Sequence, residues 1–289
     1  MAGADSLPHP GSSLASRPEL SRGIPPGFAM RIPYFQVSAF TSDTFGGNPA
    51  GVCLLEDWLP DLVLQRIAAE NNLSETAFLV RAETGYKLRW MTPTTEVDLC
   101  GHATLASAHV LFFERNCRED HVLFETLSGR LAATRRGEII ELDFPSRPPR
   151  TCDAPPLLLK GLGCEPIEVL KSRDYFVVYR SPVEVAGLRP DLDLLSGLDS
   201  LGVIVTAKGD DVDFVSRFFA PKVGVPEDPV TGSAHCSLIP YWSQRLDKTV
   251  LLARQLSKRG GELSCRFLGD RVGIGGRAVT YSRGELQIP

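Results

Sequence analysis

Residues 100–104 read Cys-Gly-His-Ala-Thr, and residues 231–234 read Thr-Gly-Ser-Ala. Each stretch places a glycine where a helix of small, uncharged residues is predicted to begin, and the second follows the first by about 130 residues. Four further matches occur in the same order at similar spacing: 34–37 with 175–178, 59–62 with 189–192, 77–80 with 202–205, and 127–128 with 256–257. The sequence therefore predicts an internal duplication.

Each unit is predicted to run strand, helix, strand, strand, helix and then further strands. Residues 61–71 are predicted to form an amphipathic helix, since its apolar residues fall on one face: Leu64, Ile67 and Ala68. Residues 103–115 and their counterpart 229–245 carry few charges, which is typical of central helices covered by a sheet. The first of these is predicted to turn four residues inward: Ala103, Ala106, Val110 and Phe113.

The predicted fold class is α+β, with two pseudo-twofold-related lobes, each a sheet wrapped around a central helix, and a cleft between them. Residues 30–148 are assigned to the N-terminal lobe and residues 149–289 to the C-terminal lobe, whose last strand is expected to cross back. Residues 1–29 are rich in Pro, Ser and Gly without apolar periodicity, so they are predicted to be a flexible leader. Whether they act as a transit peptide is left open.

Composition excludes several classes of protein. The 289 residues carry 31 Lys and Arg against 35 Asp and Glu, without the basic excess of a nucleic-acid binder. The longest stretch without these charges, 229–244, is too short and too polar to span a bilayer. Seven cysteines without a C-x-x-C pattern indicate free thiols and a cytoplasmic protein. A homodimer is plausible because paired lobes expose sheet surfaces.

Glu75 is the first candidate for a residue placed for function. Comparison of the first helix-to-strand connection in the two units leaves the segment 74–76, Ser-Glu-Thr, without a counterpart, because residues 199–203 lead directly into the strand. The topology therefore does not require this acid. The alternative is that Glu75 is a solvated acid at a strand entrance.

The second candidate feature is the pair of helix starts at Gly101 and Gly232. The first N–H groups of a helix lack internal acceptors and carry partial positive charge, so they bind anions. Glycine lets a ligand approach the backbone closely. A pseudo-twofold axis would aim both helix starts at one cleft, which suits a small carboxylate or an enolate formed from it. The alternative is that the glycines serve only helix–sheet packing.

Four motifs together resemble the phenazine-biosynthesis-like (PhzF-like) isomerases, a branch of the diaminopimelate epimerase-like fold. The motifs lie at 48–49, 72–78, 100–104 and 227–234, and the resemblance covers residues 30–289. It implies that Glu75 shuttles a proton between carbons of a small carboxylate without a cofactor or metal. It also implies three catalytic residues, Glu75, His102 and Asp228, and four substrate-binding residues, Asn48, Gly101, Gly232 and Ser233.

Other interpretations of the same residues remain at this point. A racemase of this fold uses two cysteines; Cys100 matches one, but Thr231 occupies the other position, and its hydroxyl is far too weak an acid. Ser233, His102 and Asp228 resemble a hydrolase triad, although Ser233 is not in a G-x-S-x-G turn. A metal site is weakly indicated by scattered ligands: Cys100, His102, His109, His235 and Cys236. A non-catalytic scaffold that retains the fold is the main alternative.

Overall fold

A computed structural model describes residues 30–288 of the chain. The N-terminal lobe contains eight strands and two helices: β1 (Met30–Ala39), β2 (Asn48–Leu55), α1 (Asp61–Asn71), β3 (Glu75–Arg81), β4 (Tyr86–Met91), β5 (Glu96–Val97), α2 (Gly101–His109), β6 (His121–Thr126), β7 (Gly129–Arg136) and β8 (Ile139–Pro145). A π-helical turn, Val110–Glu114, continues α2. The amphipathic prediction for α1 is confirmed, since Leu64, Ile67 and Ala68 are its buried residues.

The C-terminal lobe repeats this plan with small additions. Its elements are β9 (Arg150–Thr151), α3 (Pro156–Leu162), β10 (Glu168–Lys171), β11 (Tyr175–Val178), α4 (Pro182–Gly187), α5 (Leu192–Ser196), β12 (Val203–Lys208), β13 (Phe214–Phe219), α6 (Gly232–Leu246), β14 (Val250–Gln255), β15 (Gly261–Phe267), β16 (Arg271–Gly276) and β17 (Ala278–Ile288). A 3₁₀ turn at Pro221–Val223 follows β13.

All seventeen strands belong to one continuous sheet. Strands β8 and β16 pair antiparallel and join the lobes at the centre, while β17 pairs with β1 over its full length. Helix α2 packs inside the N-terminal half against β1, β2, β3 and β8, and α6 packs against β14, β15 and β16. Burial of nearly all of α2 and most of α6 confirms that both are central helices. The α+β architecture is as predicted.

The strand register corrects two matches of the predicted repeat, the first of which concerns residues 34–37 and the second residues 77–80. In the N-terminal lobe β2 pairs parallel with β3, and in the C-terminal lobe β11 pairs parallel with β12. Residues 175–178 therefore correspond to β2 rather than to residues 34–37, and the counterpart of β1 is β10. In each lobe two antiparallel strands, β1 and β2 or β10 and β11, precede the helical connection to the next strand. The sequence comparison was wrong here because aromatic-led strand starts look alike, and only pairing partners distinguish them.

Phe113 is a second correction. Its side chain was predicted to face inward, yet it is 40% exposed. The cause is the π-helical turn, in which the Arg115 N–H donates to the carbonyl of Val110, five residues earlier, at 2.9 Å. One extra residue per turn rotates the following side chains away from the face that a regular α-helix would present.

Candidate active site

The two central helices begin opposite each other. A Cβ atom built on Gly101 would lie 3.3 Å from the Cα atom of Gly232, and the reverse distance is also 3.3 Å. Cys100 and Thr231, the residues before these glycines, are extended, and neither makes a side-chain cap hydrogen bond. The first N–H groups of both helices therefore lack a side-chain cap at the place where the lobes meet, as an anion site requires.

Glu75 is the first residue of β3 and reaches the start of α2. Its Oε2 atom lies 3.0 Å from Nε2 of His102, and the Glu75 side chain is 18% exposed, against 6% for His102. The predicted acid is therefore partly open to solvent and in contact with the predicted histidine. A general acid or base must be able to reach its substrate and must be held in one orientation. The exposure of Glu75 and its contact with His102 provide these two conditions.

The strand register also revises the prediction that residues 74–76 have no counterpart. Thr76 pairs with Met91 at the end of β4, and Val203 pairs with Phe219 at the end of β13. Thr76 therefore corresponds to Val203 and Glu75 to Gly202, so residues 77–80 match 204–207 rather than 202–205 as the sequence comparison predicted. The acid has a structural counterpart, but that counterpart carries no side chain.

Two neighbouring side chains, Cys100 and Glu75, affect the pKa of His102. Burial alone would lower the pKa of His102, but its interactions with Cys100 and Glu75 outweigh burial and raise the pKa well above its usual range. Burial raises the pKa of Cys100 to about 11, so Cys100 is a neutral thiol near pH 7. The contact with the Glu75 carboxylate therefore favours the charged form of the His102 imidazole.

Asn48, in β2, connects the lobes through a fully buried side chain. Its Nδ2 atom donates to Oδ1 of Asp228 at 2.8 Å and to the Val230 carbonyl at 3.0 Å, and lies 3.2 Å from Nδ1 of His102. The structure thus brings Asn48, His102, Glu75 and Asp228 together. The predicted substrate-binding role of Asn48 stays a prediction.

Asp228 is held from the opposite side by the segment before α6. Its Oδ2 atom accepts a hydrogen bond from the Thr231 hydroxyl at 2.6 Å. Burial raises the pKa of Asp228 to about 6 and the charge of Glu75 adds to the rise, whereas His102, Thr231 and Asn48 oppose it. Asp228 is therefore still mostly ionised at neutral pH, although it lies beside another acid.

Two residues of this network were missed as site residues from the sequence, Thr231 and Gln255. Thr231 was considered only as a failed substitute for a racemase cysteine. Gln255 ends β14, is 1% exposed, and donates to the Asp228 carbonyl at 2.8 Å. No local pattern marks it, because the contact joins residues 27 positions apart. A buried glutamine at a strand end was the only available signal.

Ser233 and Glu227, which complete the motif around Asp228, have different surroundings. Ser233 is half-buried in the first turn of α6. Glu227 forms a two-pronged ion pair with Arg217, at 2.7 and 3.1 Å. Among residues 30–288 no hydrogen bond joins Ser233 to His102, whose two nitrogens face Glu75 and Asn48 instead. The geometry therefore does not favour the hydrolase triad.

Of the scattered metal ligands considered from the sequence, Cys100 and His102 lie together, whereas His109 and His235 contact other residues. His109 ends α2 and contacts Thr280, while His235 Nδ1 donates to the Thr231 carbonyl at 2.8 Å. Within the described part of the chain, one group of three has its possible ligand atoms within 4.8 Å of one another: Glu75, Cys100 and His102. A cation bound there would coordinate the Glu75 carboxylate, which faces His102.

Cavity size does not locate this site. A cavity of about 580 Å³ lies at the other end of α2, where His109, Phe113, Glu114 and Arg277 contribute to its walls. None of the predicted site residues lines it. We place the candidate site at the helix starts because the titratable groups converge there. Among residues 30–288 no helix is both long and apolar enough to cross a bilayer.

Comparisons with known proteins identify the family. The family model described as "Phenazine biosynthesis-like protein" matches residues 37–284. An uncharacterised isomerase of Pseudomonas aeruginosa is 51% identical, covering 90% of this chain and all of that protein. The crystal structure of a PhzF-family phenazine biosynthesis protein from Enterococcus faecalis is 50% identical, with a TM-score of 0.88, covering 90% of this chain and all of that one.

A more distant structure defines the fold more broadly. A hydroxyproline epimerase from Agrobacterium vitis shares the architecture with a TM-score of 0.58 at 10% identity, over 89% of this chain and 93% of that one, which shows the fold alone. The chain is thus an isomerase with the α+β, diaminopimelate epimerase-like fold. It belongs to the phenazine biosynthesis-like (PhzF) family. The site residues, the homodimer and the cytoplasmic location stay predictions.

Proposed function

We propose that the protein is a cofactor-independent isomerase that moves a proton between carbons of a small carboxylate, with Glu75 as the general acid and base. One observation carries the proposal: the Glu75 carboxylate lies 3.0 Å from His102 at the point where two uncapped helix starts meet. A base that is fixed by a partner and still reaches solvent can accept a proton and return it to another atom.

The first step is binding of the substrate carboxylate. In the proposal the N–H groups that follow Gly101 and Gly232 receive it, and the half-buried Ser233 hydroxyl contributes a further donor. Helix starts supply fixed dipoles that need no reorganisation as charge develops. The space between the two helix starts is small, since a Cβ atom built on either glycine would lie 3.3 Å from the Cα atom of the other, and this favours a small anion.

The second step is proton transfer. Glu75 removes a proton from a carbon next to an unsaturated group, and the electrons move into that group as the double bond shifts. The resulting carboxylic acid returns the same proton to a different carbon, so atoms and charges balance. His102 and Asp228 stabilise the charge that accumulates or orient a polar substituent. Positioned acid–base catalysis contributes about 10²–10⁴-fold, so electrostatic stabilisation by the helix starts supplies most of the remaining acceleration.

Solvent exchange tests the proposal while the substrate is still unidentified. Small cyclic and unsaturated carboxylates are incubated with the enzyme in D₂O, and deuterium uptake at carbon is followed by NMR and mass spectrometry. We expect uptake with a subset of them, loss of uptake in Glu75→Gln, and normal uptake in Glu70→Gln, an exposed acid at the end of α1.

Two outcomes would contradict the proposal. Uptake that persists in Glu75→Gln would remove Glu75 from the role. A carboxylate that raises the thermal midpoint of the protein, but shows no exchange with any substrate of the panel, would favour the non-catalytic scaffold.

A further inference from the structure

A buried chain of hydrogen bonds runs from Gln255 through Thr231 to Asp228. Gln255 accepts a hydrogen bond from the Thr231 backbone N–H at 2.9 Å through its Oε1 atom. Its Nε2 atom donates to the Asp228 carbonyl at 2.8 Å and to the Thr231 hydroxyl oxygen at 3.1 Å. All three polar contacts of this side chain are thus directed at the four-residue segment 228–231.

These contacts determine the direction of the Thr231 hydroxyl. Since Gln255 donates to the oxygen of Thr231, the hydroxyl proton is free to point the other way, toward Oδ2 of Asp228 at 2.6 Å. Asn48 donates to the other carboxylate oxygen, Oδ1. Each oxygen of Asp228 therefore has its own donor, and a donor to a carboxylate favours the ionised form.

The surrounding titratable groups make this support necessary. Glu75 and His102 face Asp228 from the N-terminal lobe, with the neutral Cys100 thiol beside His102. From α6, His235 holds the Thr231 carbonyl; burial lowers its pKa to about 4, so it adds no charge at neutral pH. Burial and the Glu75 charge both favour protonation of Asp228.

We propose that Thr231 and Gln255 are positioning residues: Gln255 orients the Thr231 hydroxyl, and that hydroxyl keeps Asp228 ionised and aligned with Asn48 at neutral pH. Thr231 occupies the place that corresponds to Cys100 at the start of the other central helix, so the two lobes use this position differently. The importance of these residues for catalysis rests on the proposed function. Their effect on the charge state of Asp228 does not depend on it.

The ionisation of Asp228 can be measured directly in the absence of substrate. The full chain is labelled with ¹³C at the aspartate side-chain carboxyl, and the Asp228 signal is identified by its loss in Asp228→Asn. We expect the titration midpoint of this signal to rise by about one to two pH units in Thr231→Val, because a donor to the charged form is lost. Thr231→Ser restores the hydroxyl and is expected to keep the midpoint of the parent protein.

Two further variants separate positioning from general loss of packing. Thr206→Val removes a fully buried hydroxyl that donates to the Val215 carbonyl, and we expect no shift of the Asp228 midpoint. Gln255→Met keeps the length of the side chain but removes its hydrogen bonds, and we expect a smaller rise than in Thr231→Val. This variant also serves if Thr231→Val does not fold.

The proposal is overturned if Thr231→Val and Gln255→Met both leave the Asp228 midpoint unchanged. It is equally overturned if Thr231→Ser raises the midpoint as much as Thr231→Val does. Since no substrate is present, a protein without isomerase activity would still give the expected shifts. Conversely, an active enzyme with unchanged midpoints would reject this role and leave the function of Glu75 standing.

Discussion

The two lobes share a scaffold down to individual ion pairs. In the N-terminal lobe Arg89 on β4 holds Glu96 through two contacts of 2.7 Å. At the corresponding place in β13, Arg217 holds Glu227 at 2.7 and 3.1 Å. Both glutamates lie in the segments that lead to the central helices. Both lobes thus keep an ion pair that holds the segment leading to the central helix in place.

The lobes differ at the entrance of β3 and of its counterpart, β12. Glu75 stands where the C-terminal lobe has Gly202, and a Cβ atom on Gly202 would lie 2.3 Å from Cζ of Phe218. The aromatic ring fills the space that the acid occupies in the other lobe. The duplicated fold therefore has two helix starts but an acid at only one of the two strand entrances, in keeping with the proposed removal and return of a proton on one face of a ligand.

The largest effect is expected when the N-terminal lobe is made to match its partner. Glu75→Gly should lower the rate of deuterium uptake by about 10²–10⁴-fold, the usual contribution of a positioned acid or base. Uptake of deuterium into a carboxylate that the parent enzyme accepts is the measurement. A variant with nearly full activity would show that the difference between Glu75 and Gly202 has no catalytic meaning.

A second effect concerns the acid that belongs to the C-terminal lobe. Burial raises the pKa of Asp228 to about 6, above its value near 3.9 in an unfolded chain. Its contribution to stability is thus full below about pH 4 and is lost as pH rises through about 6. Relative to the parent protein, Asp228→Asn should gain up to about 3 kcal/mol in unfolding free energy between pH 4 and pH 8.

Urea unfolding of both proteins at pH 4, 6 and 8 measures this difference. Only the pH-dependent part matters, because the amide also changes the local hydrogen bonds at every pH. A gap between the two proteins that stays constant across this range would contradict the expectation.

The third effect tests why the C-terminal lobe has no acid at Gly202, the position that corresponds to Glu75. Gly202→Ala should lower the unfolding free energy by about 2 kcal/mol, because the added methyl group meets both the Phe218 ring and the Phe219 carbonyl. Gly187 provides the control, because a Cβ atom there would meet no atom within 4 Å and its φ is not positive. Gly129 also has open space, but its φ of +98° would strain an alanine. We therefore expect Gly187→Ala to be nearly neutral in the same urea titration, and equal costs would reject the packing explanation.

The smallest effect is a difference in stability between variants of the two corresponding ion pairs, Arg217–Glu227 and Arg89–Glu96. The Arg217 side chain is 10% exposed and that of Arg89 is 21% exposed. Removal of the partner from the more buried arginine leaves a less solvated charge, so Glu227→Gln should cost about 2 kcal/mol and Glu96→Gln about 1 kcal/mol. Thermal unfolding of both variants at one pH checks the order. The reverse order would mean that burial does not decide the strength of these pairs.

Much of the fold could be predicted because the chain repeats itself. The glycine that opens each central helix and the scarcity of charge within it are local features, so the helices and the duplication are visible in the sequence. The register of the strands was harder to predict from the sequence. The match of residues 34–37 with 175–178 failed because a strand's identity in a duplicated sheet depends on its neighbours, and Phe113 was misplaced because a π-helical turn has no clear sequence signal.

The residue types of the candidate site are visible in the amino-acid order alone: a glutamate, a histidine and an aspartate beside two helix-opening glycines. Folding was needed to make Gly202 the counterpart of Glu75 and to bring Gln255 against the segment around Asp228. The difference arises from separation along the chain. Helix formation depends on residues a few positions apart, whereas strand register and buried polar contacts depend on residues that come together only in the folded protein.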